Sequence, residues 1–80
     1  MNKYRLITVV VADDHPMFRR GLCETIQRNT PYSIVGEAGD GEEALRIIKE
    51  MKPAVAILDV EMPKLNGLDV AELVNEADLP

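Results

Sequence analysis

Apolar residues fall along this chain in two alternating patterns, short unbroken runs and longer stretches with a three-to-four residue spacing. Leu6 to Ala12, LITVVVA, is the most uniform run, and its β-branched centre fits a central parallel strand covered on both faces. Pro16 suits the first turn of a helix, and Asp13 and Asp14 before it complement that helix's positive end. Phe18, Leu22 and Ile26, with Cys23 beside them, form an apolar stripe on a helix that ends near Asn29. Arg19, Arg20, Glu24, Gln27 and Arg28 fall off that stripe and are expected to be solvated.

Thr30-Pro31 breaks the helix, and Tyr32 to Ala38 forms a second strand, less uniformly apolar, as expected of a sheet edge. Asp40 is placed to cap the next helix while Glu43 reaches back, and Ala44, Leu45, Ile48 and Met51 form that helix's stripe until Pro53 stops it. Val55 to Leu58 is a third strand, expected to be buried on both faces and to end in Asp59. Lys64-Leu65-Asn66-Gly67 reads as a turn, and Leu68 to Ala77 as a third helix with Val70, Ala71, Val74 and Ala77 on one side. Strand and helix alternate three times without a repeat or linker, the βαβ pattern of an α/β fold with a parallel sheet.

The chain is 80 residues long, enough for at most one small domain of modest stability. Its 46% hydrophobic and 29% charged residues belong to a globular chain rather than a disordered one. The net charge of −5 arises wholly in residues 41–80, which hold four basic and nine acidic side chains against five and five in residues 1–40. With a pI near 4.7 and no basic stripe, no surface for binding nucleic acid is expected on this chain itself. Cys23 is the only cysteine, which excludes an intrachain disulfide; no secretory leader and no membrane-spanning run are read, so a cytoplasmic setting is expected.

In open parallel sheets ligands bind outside the carboxyl ends of the strands. Asp59 taken alone reads more readily as an acidic residue opening a turn. If strands one and three are neighbours, however, Asp13, Asp14 and Asp59 converge at one rim. Like charges so close are relieved by a cation, and oxygen donors with room for water suit magnesium, Mg²⁺. His15, beside the helix-opening proline, reads as a partly exposed terminus residue rather than a donor or ligand, and Cys23 as a small core residue.

The stretches VVVADDHPMFRRGL, GDGEEAL and ILDVEMPKLNGLDV, in this order and at these separations, resemble the receiver domain of a two-component response regulator over essentially the whole chain. The wording DDHPMFRRGL further resembles receivers that precede a LuxR-type helix-turn-helix output domain. The resemblance implies a flavodoxin-like, CheY-like doubly wound sheet of which residues 1–80 are the amino-terminal part, the first three βα units. It implies Asp59 as phosphoryl acceptor, and Asp13, Asp14, Asp59 and the backbone carbonyl of Glu61 as ligands of Mg²⁺. A sensor histidine kinase is the implied partner, with DNA reached only through an output domain outside these residues. The Ser or Thr ending strand four and the Lys ending strand five of the family have no counterpart here, so signalling by these residues alone is not expected.

The resemblance also implies the family's strand order, two-one-three-four-five; without the later strands, strand three becomes an edge, and self-association through it, or exchange of elements with a second copy, is expected. Two other readings stand beside the receiver: an inert interaction fragment, and a Mg²⁺-dependent phosphohydrolase forming its own aspartyl phosphate. The haloacid dehalogenase type of phosphohydrolase carries Asp-x-Asp after its first strand, a spacing that Asp13-Asp14-His15 lacks.

Overall fold

Three parallel strands, β1 (Ile7–Ala12), β2 (Tyr32–Ala38) and β3 (Val55–Leu58), pair in the order β2-β1-β3. Between and after them run α1 (Pro16–Gln27), α2 (Gly41–Met51) and α3 (Gly67–Glu76). The structure, a computed structural model, describes residues 7–28 and 31–76; the expected element ends at Leu6, Asn29 and Ala77 lie outside them.

β1 alternates its side chains between two cores, as a pleated central strand must. Val10 and Ala12 join Ala38, Ala44, Ile48 and Val70 beneath α2 and α3, whereas Val9 and Val11 join Cys23, Leu22 and Ile26 beneath α1. Val10 and Val11 are wholly buried, each worth roughly 2 kcal/mol of hydrophobic stabilisation. This is the expected doubly wound arrangement, one helix on one face and two on the other.

The inner face of α1 differs from the expected stripe. Arg19, Leu22, Cys23 and Ile26 have the i, i+3, i+4, i+7 spacing of the face turned to the sheet, and Phe18, one position before it, stands 61% exposed. In α2 the core side chains are Ala44, Ile47 and Ile48, while Met51 in the last turn is 46% exposed. In α3, Val70 and Val74 face the core, and Ala71 is exposed.

β3 also differs from expectation: Val55, Ala56 and Ile57 are exposed and only Leu58 is half-buried. Val55 and Ile57 pair with Val9 and Val11 and so share their face, but α1 packs chiefly over β2 and β1 and leaves them exposed. An apolar cleft of about 500 Å³ opens there, lined by Val9, Ile26, Tyr32, Val55 and Ile57.

The helices begin and end by local chemistry. Asp40 caps α2, accepting from Glu43 N at 2.8 Å, while Glu43 Oε1 accepts from Gly39 N at 2.9 Å, one residue before the expected return partner. Lys52 closes α2 in the left-handed conformation, φ 46° and ψ 58°, so the helix has already ended before Pro53. A second reciprocal cap opens α3: Asn66 Oδ1 accepts from Asp69 N at 2.8 Å, and Asp69 Oδ2 accepts from Asn66 N at 3.3 Å.

Candidate functional site

The parallel ladders continue one step past the strands. Asp13 N donates to Ala38 O at 3.0 Å and Asp59 N to Ala12 O at 2.9 Å, which places both aspartates at the carboxyl rim in register. Asp13, Asp14, His15 and Asp59 each bring one donor atom into a group whose members all lie within 4.8 Å of one another. The convergence expected of Asp13, Asp14 and Asp59 is therefore present, and His15 joins it. Asp14, Asp59 and Glu61 line an open cleft of about 690 Å³ with Val60, Met62 and Pro63.

Each carboxylate is held differently. Asp13 is buried, and its Oδ1 accepts from His15 N at 2.8 Å. Asp59 Oδ1 accepts from Glu61 N at 3.3 Å, and Asp59 Oδ2 lies 4.0 Å from the His15 ring. Asp14 Oδ1 is shielded from solvent and makes no hydrogen bond, although His15 Nδ1 stands 3.0 Å from it. A shielded carboxylate oxygen without a donor is costly unless a cation sits beside it. Three hard oxygen donors, one of them unsatisfied, fit Mg²⁺ with water completing the shell.

His15 was expected at the helix terminus, and it is there: it is the N-cap residue of α1, its side chain 72% exposed and making no cap hydrogen bond. Its ring turns to the carboxylates instead, 3.0 Å from Asp13 Oδ1. The hydrogen bond with Asp13 and the charge of Asp14 raise its pKa above the usual value of 6.5.

Arg19 was expected among solvated residues and is not one of them. Its Nη1 donates to the Asp13 carbonyl at 2.7 Å and to the Ala38 carbonyl at 3.3 Å, and its Nε to Glu37 Oε1 at 3.3 Å. The guanidinium thus ties the ends of β1 and β2 behind the acidic rim. The signal lay in the 19-22-23-26 spacing, which puts a cation on the inward face of α1 six residues after Asp13. Cys23 is buried as expected, and burial pushes its thiol up, which suits packing rather than nucleophilic chemistry.

The loop after Asp59 is anchored to both α2 and α3. Gly67 N donates to Val60 O at 3.1 Å, and Gly41 N at the start of α2 donates to Pro63 O at 3.2 Å. A Cβ on Gly41 would overlap the Leu65 carbonyl, so only glycine lets α2 approach the loop this closely. Lys64, at φ 72°, reaches Asp40 at 3.8 Å and Glu42 at 3.9 Å across the same junction.

The response regulator receiver domain family matches residues 9–80. The curated protein named "Probable transcriptional regulatory protein NarL" of Mycobacterium tuberculosis is 45% identical over 74 residues, 92% of this chain and 34% of that protein. The solved signal receiver domain of the response regulator NarL from the same organism superposes with a TM-score of 0.93 at 43% identity, covering 95% of this chain and 61% of that one. A LuxR-family DNA-binding response regulator from Staphylococcus aureus gives 0.89 at 31% identity, covering 92% and 62%. Relatives also include a protein-glutamate methylesterase/protein-glutamine glutaminase of Idiomarina loihiensis, 38% identical over 68 residues, 85% of this chain and 18% of that enzyme. The chain spans about a third of the length of the NarL protein it matches. By its family match, its open parallel sheet and its acidic rim, the chain belongs to the response regulator receiver domain family, in the company of NarL and LuxR-type transcription regulators.

Proposed function

We propose that Asp59 is the phosphoryl acceptor of this receiver and that Asp13, Asp14, Asp59 and the backbone carbonyl of Glu61 hold Mg²⁺ during transfer. The observation that carries this reading is the convergence of three carboxylates from two adjacent parallel strands, one with an oxygen that is shielded from solvent and makes no hydrogen bond. The donor is the phosphohistidine of a sensor histidine kinase. An Asp59 carboxylate oxygen attacks phosphorus in line, the phosphorus–nitrogen bond breaks, and the departing imidazole nitrogen keeps the electron pair. Mg²⁺, when bound, supplies the positive charge that offsets repulsion between the attacking carboxylate and the phosphoryl oxygens. Asp13 is fixed from behind by Arg19, and Asp59 is positioned by its ladder bond to Ala12 and its turn bond to Glu61. The open cleft leaves room for a phosphohistidine side chain to approach.

In this reading the chain is a phosphoaccepting module in the cytoplasm rather than a turnover enzyme. Residues 1–80 form the amino-terminal part of the receiver domain, and DNA is contacted through a separate output domain. No helix among the described residues is long and apolar enough to cross a membrane. The exposed β3 edge, with Val55 and Ile57 beside an apolar cleft, supports self-association through this strand or exchange of elements with a second copy. The acceptor is located by treating the chain with acetyl phosphate and Mg²⁺, reducing it with borohydride and mapping the peptides. Conversion of residue 59 to homoserine supports the assignment; an adduct on Asp13 or Asp14 would overturn it.

A further inference from the structure

Asn66 is the one asparagine of this chain that precedes a glycine; Asn2, Asn29 and Asn75 are followed by Lys3, Thr30 and Glu76. We infer that the Asn66-Gly67 pair is a site of spontaneous imide formation and deamidation, held off in the folded chain by the hydrogen bonds that tie the start of α3 to the loop after Asp59. The co-reactant is water.

Imide formation begins when the backbone nitrogen of the following residue, having lost its proton to solvent, attacks the asparagine side-chain carbonyl. A side chain on that residue screens the nitrogen, and glycine has none. Here the glycine is required, because a Cβ at position 67 would overlap the Asp59 carbonyl. The contact that seats α3 against the rim of β3 thus fixes the reactive pair in place. Asp40-Gly41 opens α2 with the same kind of pair, but the bond from Glu43 N favours its ionised carboxylate, which has no amine to release.

The folded chain blocks each step. Gly67 is buried and its N donates to Val60 O at 3.1 Å, so the attacking nitrogen is neither free nor readily deprotonated. Asn66 Oδ1 accepts from Asp69 N at 2.8 Å, and Asn66 N donates to Asp69 Oδ2 at 3.3 Å, which pins the amide as a helix cap. Reaction therefore requires a local opening in which the loop lifts from α3. Asn66 borders the same open cleft as Asp59, so water reaches its side chain once the cap parts.

In that open state the Gly67 nitrogen bonds to Asn66 Cγ, the Cγ–Nδ2 bond breaks, and Nδ2 leaves as ammonia with a proton from solvent. Water then opens the cyclic imide. Cleavage at Cγ leaves aspartate at position 66, still a good cap. Cleavage at the main-chain carbonyl leaves isoaspartate, whose backbone is one methylene longer. The carbonyl that accepted from Val70 N at 3.0 Å then belongs to a free carboxylate, and Gly67 loses its seat against Asp59.

The test incubates the intact chain, folded in buffer and unfolded in urea, at one mildly alkaline pH, with peptide mapping to separate aspartate from isoaspartate at position 66. The unfolded chain should react at least about tenfold faster than the folded one. Across urea concentrations below the unfolding transition, deamidation should rise in proportion to hydrogen exchange of the Gly67 amide, within about threefold, because both need the same freed, deprotonated nitrogen. Asp69→Ala removes the acceptor of Asn66 N and should raise both rates together; Glu72→Ala, on the exposed side of α3, should raise neither. Circular dichroism checks that each variant is folded. Equal rates in the folded and unfolded chains, or a rate that ignores Gly67 exchange, would overturn the protection. An unfolded chain that reacts at Asn66 no faster than at Asn75 would overturn the site.

Discussion

The Cα of Gly67 rests against the peptide of Asp59, so that a methyl group at position 67 would overlap the Asp59 carbonyl and also press on Leu58 Cβ at 3.2 Å. The first residue of α3 and the residue at the carboxyl rim of β3 are thus in backbone contact, and only glycine permits it.

Gly67→Ala should therefore cost about 1–3 kcal/mol by overpacking and displace Asp59 from the rim. Gly21, in exposed α1 with nothing within 4 Å of a built Cβ, is the control: Gly21→Ala should stabilise by about 0.5–1 kcal/mol. Urea denaturation of both variants measures the contrast. Equal effects would mean that the close approach at Asp59 is relieved without cost.

Arg19→Ala removes the donor to the Asp13 and Ala38 carbonyls, from a side chain only 22% exposed. A loss of about 1–2 kcal/mol is expected from the hydrogen bonds. Because Asp13 loses its rear support, Mg²⁺ affinity should fall by up to about tenfold, as when a group behind a ligand is removed. Calorimetric titration of Mg²⁺ checks this, and Arg20→Ala, on the exposed side of α1, should leave affinity unchanged.

The hydrogen bond from Glu43 N holds the Asp40 carboxyl below its ordinary value of 3.8, with the nearby Lys64 charge acting in the same direction. A depressed carboxylate contributes stability that is present above its unfolded value and is lost as pH falls through the folded one. The chain should therefore lose stability below about pH 3.8 through this group. Asp40→Asn, which can still cap α2, should keep most of the stability at neutral pH and lose less of it on acidification. Urea midpoints measured from about pH 6 down to about pH 2 test it.

Ile57→Lys places a charge on the exposed face of β3 beside the apolar cleft. Charged edges discourage strand pairing, so the variant should sediment as a smaller species than the parent at the same concentration. A parent chain that is monomeric throughout would remove β3 as an association surface.

The layering was readable because β1 is apolar on both faces and only a central strand needs that. The meeting of Asp13, Asp14 and Asp59 followed from placing two such strands side by side. β3 differs from expectation for the same reason: Val55 to Leu58 is apolar enough for a buried strand, but α1 packs chiefly over β2 and β1, and helix reach is not written in a strand's own residues. Phe18 was misplaced because a four-residue repeat fixes a stripe but not its centre; Arg19, Leu22, Cys23 and Ile26 define the same stripe rotated by one position. His15 could not be assigned to the cluster from spacing alone, since its ring orientation depends on which backbone groups Asp13 has already engaged.

The most direct test of the central claim is intact-mass spectrometry after incubation with acetyl phosphate and Mg²⁺, beside Asp59→Asn and a chelator control. One phosphoryl adduct is expected on the parent chain, absent from Asp59→Asn and absent when the divalent cation is removed. A folded chain that takes up no phosphoryl group, or takes it up equally in the variant, would contradict the assignment of Asp59 as acceptor and leave the acidic rim without that chemistry.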